Sequence, residues 1–99
     1  MSERADWEEL RQRRMTEPGA DEAYAAARLA YELGRAVQDL REQHGWSQAQ
    51  LAEVAGMTQS AVARFEAGGT VPTLTTLERL ARALDVELAV RFNPKTAAA

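Results

Sequence analysis

Ala52, Gly56 and Val62 are spaced four and six residues apart within SQAQLAEVAGMTQSAVARFEAG, and this spacing constrains the fold more than any other feature of the chain. Two short helices joined by a tight turn must cross closely and steeply. Alanine at the crossing permits the approach. Glycine can take the positive φ of the turn, and valine on the second helix fills the gap between the two. Ser47 and Gln50 form an S-x-x-Q capping box that opens the first helix, with Leu51, Ala52 and Ala55 facing inward. Thr58 caps the second, with Val62 and Phe65 inward and Gly68-Gly69 at its end.

The flanking sequence supplies the rest of a helical domain. Asp21 to His44 reads as one long helix, closed by Gly45, with Leu29, Leu33, Val37 and Leu40 as its core stripe. Trp46 is expected to cover the core at the junction that follows. Thr73 opens a further helix carrying Leu74, Leu77, Leu80, Ala81 and Leu84. The stretch VELAVRF alternates instead, with Val86, Leu88, Val90 and Phe92 on one side, which is a strand pattern ended by Asn93-Pro94. The boundaries that follow are an N-terminal arm or short helix at 1–19, a helical domain at 20–85, a strand at 86–92 and a loose tail at 93–99. In the arm, Asp6 reads as an N-cap and Trp7 and Leu10 share one side before Pro18-Gly19 breaks the helix.

Composition narrows the function. The 99 residues include no cysteine, which removes disulfides, thiolate metal sites and a Cys nucleophile. His44 is the single histidine and stands at a helix end with no partners for metal binding or catalysis, so a capping or surface role is expected. No glycine-rich phosphate loop is present, so neither an enzyme nor a bound metal or cofactor is expected. No apolar run approaches the ~20 residues of a membrane span and the N-terminus lacks a secretion signal, so a cytoplasmic protein is expected. Net charge is −3, and residues 47–70 carry one cation, Arg64, against Glu53 and Glu66. The spacing of Ala52, Gly56 and Val62 is that of a DNA-binding helix-turn-helix. One with so few cations would have to hold phosphates with helix N-termini, amides and hydroxyls, keeping side chains for base edges. Arg28, Arg35 and Arg91 would be its outer cations.

The stretch LREQHGWSQAQLAEVAGMTQSAVARFEAGGTVPTLTTLERLARAL resembles the Cro/C1 (XRE) helix-turn-helix family across roughly half the chain. The resemblance implies a lambda-repressor-like, mainly α bundle with a long first helix, its usual fifth helix replaced by a C-terminal strand pairing across a homodimer. It implies a reading helix with Gln59, Ser60, Ala63 and Arg64 toward base edges. Ser47, Gln48, Thr58, Gly69 and Thr70 match positions that contact phosphate, and Arg41 and Glu66 match a structural ion pair. One strand cannot satisfy its own backbone, so Val86, Leu88, Val90 and Phe92 are expected to pair with a second copy and place two reading helices on a palindromic operator.

A Cro/C1 domain with a pairing strand is similar to HigA- and HipB-type antitoxins. That likeness implies autorepression and neutralisation of a RelE/HigB-like toxin, with Trp7, Leu10, Tyr24 and Tyr31 as candidate toxin contacts. A stand-alone regulator and a protein-interaction module without DNA binding are the alternatives.

Overall fold

Side-chain and glycine caps set the limits of four helices in the computed structural model, which describes residue 9 and residues 19–95. They are α1 (Ala20–Gln43), α2 (Gln48–Ala55), α3 (Gln59–Glu66) and α4 (Leu74–Ala83). Ser47 and Gln50 close a reciprocal box at the start of α2, at 3.1 Å from Gln50 N to Ser47 Oγ and 2.7 Å from Ser47 N to Gln50 Oε1. Thr58 and Thr73 each accept a hydrogen bond at 3.1 Å from the third residue of α3 and α4. These bonds satisfy amides that a helix start would otherwise leave bare.

The C-terminal ends share one device. Trp46 N donates to Arg41 O (3.1 Å), Met57 to Ala52 (2.9 Å), Gly69 to Arg64 (2.9 Å) and Val86 to Ala81 (3.0 Å), a six-to-one bond in each case. The bond needs a left-handed residue just inside it. Three helices use glycine there, whereas α4 uses Asp85 at φ 58°.

Val37, Leu51, Ala52, Ala55, Val62, Phe65, Leu80 and Leu84 form the core, with Leu33, Leu40, Trp46 and Leu77 packed against it. Leu51, Val62, Leu80 and Leu84 are at most 2% exposed, and burying each stabilises the fold by about 1.5–3 kcal/mol. The second and third helices cross as the small residues demand, with Ala52 4% exposed. A further close approach involves Gly34 of α1. A Cβ there would lie 2.5 Å from the Phe65 carbonyl oxygen and 2.6 Å from that of Glu66, so only glycine lets α1 run against the end of α3.

Three expectations need correction. Leu29 is 57% exposed and Leu74 is 66% exposed, so neither belongs to the core. The reason is length. The 24-residue α1 extends ~36 Å, whereas the eight-residue helices beneath it extend ~12 Å. Among the described residues no helix covers Leu29 on the outer half of α1 or Leu74 at the first turn of α4. The third correction concerns the C-terminus: no strand occurs among the described residues, and 86–95 has no regular structure. Val86, Val90 and Phe92 are exposed (Phe92 fully) and Leu88 is half-buried. A ladder needs a second backbone alongside, and the chain itself brings none to this segment. The expected short helix around Trp7 and Leu10 and the end of the tail lie outside the described residues.

Candidate nucleic-acid interface

The exposed side of α3 is defined by what its opposite side buries. Val62 and Phe65 are 0% and 3% exposed and anchor the helix to the core. Gln59, Ser60, Ala63 and Arg64 fall within an arc of about 140° on the other side at 100° per residue. Gln59, Ser60 and Arg64 are exposed and Ala63 is half-buried. Glutamine can bond an adenine edge at two points and arginine a guanine edge likewise.

The residues expected to meet phosphate lie at helix starts and in the loop after α3. Ser47 and Thr58 are exposed, and each hydroxyl oxygen already accepts a backbone N–H. Its proton can therefore still be donated outward. Neither α2 nor α3 has an acidic residue in its first turn, whereas α1 has Asp21 and Glu22. The starts of α2 and α3 thus keep their partial positive charge unopposed by a carboxylate in the first turn. Gly69 is exposed and Thr70 half-buried in the loop after α3.

Behind this surface lies a buried polar junction. Arg41 Nε donates to Glu66 Oε2 at 2.6 Å and Nη2 to Oε1 at 3.1 Å, and Nη1 donates to the Trp46 carbonyl at 2.7 Å. The two side chains are 11% and 4% exposed. The hydrogen bond to Glu66 raises the Arg41 pKa above its ordinary value despite burial. The pair implied by the family resemblance is present, and it joins α1, the α2 start and α3.

Gln48 has an additional partner that its expected role at phosphate did not include. Its Nε2 donates to Glu66 Oε1 at 3.0 Å, so its amide braces the junction. Sequence reasoning missed this because the partner lies 18 positions away. It also passed over Gly34, for which a glycine inside a helical pattern was the available signal. His44 does serve as a helix-end group. Its Nε2 donates to the Leu84 carbonyl at 2.9 Å, and its ring stacks on Trp46 at 4.4 Å, tying the ends of α1 and α4. Of the outer cations, Arg28 is already paired with Glu32 at 3.0 Å, whereas Arg35 and Arg91 are exposed. Tyr24 and Tyr31 are half-buried on the outer half of α1, and Trp7 and Leu10 lie outside the described residues.

Against known proteins, the helix-turn-helix family profile matches residues 37–90, more than half of the chain. The chain belongs to the helix-turn-helix family of the Cro/C1 (XRE) type. It is 33% identical over 70 residues to the HTH-type transcriptional regulator SutR of Escherichia coli K12, covering 71% of this chain and 39% of that protein. It is 32% identical over 57 residues to Antitoxin HipB of the same organism, covering 58% of this chain and 65% of that one. Among solved structures, the restriction-modification controller protein C.AhdI from Aeromonas hydrophila matches with a TM-score of 0.57 and 34% identity, over 59% of this chain and 88% of that chain. The chain thus spans well under half of SutR and just under two thirds of HipB. This family consists of DNA-binding transcription regulators. No described helix is long and apolar enough to cross a membrane.

Proposed function

We propose that this protein is a sequence-specific DNA-binding repressor that reads base edges with Gln59, Ser60 and Arg64, with Ala63 close against the groove. The observation that carries this reading is the rigid presentation of α3: its inner side is buried and its end is fixed by Arg41 and Glu66, while three hydrogen-bonding side chains stand exposed together. Ser47, Thr58, Gly69 and Thr70 hold phosphates through hydroxyls and amides. Few cations then meet the backbone, so affinity falls only shallowly with salt. A single domain of this size binds weakly. Pairing of Val86–Phe92 with a second copy would satisfy that segment's backbone and address a palindromic operator.

Anisotropy with labelled DNA from upstream of the protein's own gene, across a salt series, tests the reading. Wild type should bind saturably, and Gln59→Ala/Arg64→Ala should lose discrimination while keeping its melting temperature, each contact being worth about 1–3 kcal/mol. Equal binding to random DNA by the wild type would refute it.

A second role as the antitoxin of a toxin–antitoxin operon is favoured by the likeness to HipB and by the apolar surface that the described residues leave open on the outer half of α1. Tyr24 and Tyr31, with Trp7 and Leu10 of the arm, would contact a RelE/HigB-like toxin. Co-purification with a small toxin from the native operon separates this role from that of a stand-alone regulator.

A further inference from the structure

The outer half of α1 and the loop at residues 68–72 enclose an apolar groove of about 580 Å³, lined by Ala27, Leu29, Leu33, Val71, Pro72 and Leu77 among others. Leu29 and Val71 on its walls are 57% and 88% exposed, so apolar side chains stand around unfilled space. Ala20 points to what fills it. It occupies the first turn of α1, outside the core cluster, and yet is only 8% exposed. A chain turning back over that first turn would produce this burial. The chain enters α1 through Gly19 in a left-handed conformation (φ 76°).

We propose that the N-terminal arm, residues 1–18, folds back into this groove and places Trp7 and Leu10 between α1 and the 68–72 loop. The reach is sufficient. Nine residues separate Leu10 from Ala20 and can span ~30 Å when extended. Leu29 lies nine residues along α1 from Ala20, about 14 Å at the helical rise. The chemistry also fits. Glu9 is helical and exposed, and in the sequence Trp7 and Leu10 stand three apart, a spacing that would put them on one side of a helix. The arm's four arginines and five acids nearly cancel, so no net charge opposes docking beside the Arg28–Glu32 pair.

The arm is then an internal occupant that any outside partner of this groove must displace. Because Gly69 and Thr70 belong to the groove's loop wall, displacement would be felt at the edge of the DNA-facing surface.

The absence of cysteine permits a direct test. Leu10→Cys is combined with Leu29→Cys or Val71→Cys, and with Val54→Cys on the exposed side of α2 as a control for tether reach. All three acceptor sites are exposed, and unchanged far-UV circular dichroism verifies the fold. Mild oxidation should close the groove pairs within one chain at least about tenfold faster than the control, since docking raises effective concentration above that of a free tether. Equal rates for all pairs would overturn the proposal. So would crosslinks that form only between chains, which would assign the groove to a second copy.

Discussion

The two halves of α1 draw on the same residue types and end in opposite situations. From Leu33 to Gln43, Gly34 lies against the α3 end, Val37 is buried and Arg41 is locked to Glu66. From Ala20 to Glu32, Leu29 is solvent-facing and the Arg28–Glu32 ion pair is itself exposed. The apolar stripe runs through both halves without a break, so periodicity alone does not decide burial. What decides it is whether an element of matching length lies opposite.

The sharpest way to break the inner half is Glu66→Ala. It leaves the Arg41 guanidinium and the Gln48 amide without their carboxylate, at a cost of about 3–5 kcal/mol. For a domain this small the variant should be largely unfolded at 37 °C, as circular dichroism will show. Leu80→Ala and Leu74→Ala then compare a covered and an uncovered leucine on a single helix, at 1% and 66% exposure. Urea melts should give about 2–5 kcal/mol for the first and under about 0.5 kcal/mol for the second. Equal losses would mean that Leu74 is covered in solution. Gly34→Ala forces a methyl group onto two backbone carbonyls and should lower stability by about 1–3 kcal/mol. An unchanged urea midpoint there would show that α1 can shift away from α3.

A smaller effect of opposite sign is expected at Asp85. Left-handed backbone costs a side-chain-bearing residue about 1–2 kcal/mol, more than the roughly 0.5–1 kcal/mol of chain entropy that glycine loses on folding. Asp85→Gly should therefore raise the melting temperature by a few degrees. Smallest of all, Arg28→Ala should leave it unchanged within error, because an exposed i,i+4 pair is screened by water and salt.

The features legible in the sequence are those whose cause is local. Ser47, Gln50, Thr58 and Thr73 cap helices by bonds three residues long, and Ala52, Gly56 and Val62 set the turn by size and φ. The exposed side of α3 followed from the buried positions of Val62 and Phe65. Leu29 and Leu74 were misplaced because their burial depends on how far facing helices extend, which a periodic pattern does not encode. The bond from Gln48 to Glu66 is not legible in the sequence because it exists only once α2 and α3 have packed. The alternation at Val86–Phe92 is a strand pattern, but regular pairing there requires a second backbone that the described residues do not bring alongside.

One arginine reaches three parts of the reading unit at once: the α1 end from which it projects, the Trp46 carbonyl just before α2, and Glu66 at the end of α3. The two helices that would meet DNA are thereby held in their mutual orientation before any encounter. Association should accordingly proceed in a single kinetic phase whose rate scales with concentration, with no slow rearrangement after contact. Little conformational entropy remains for the reading unit to lose on binding, so differences in affinity among DNA sequences should appear chiefly in how fast the complex comes apart.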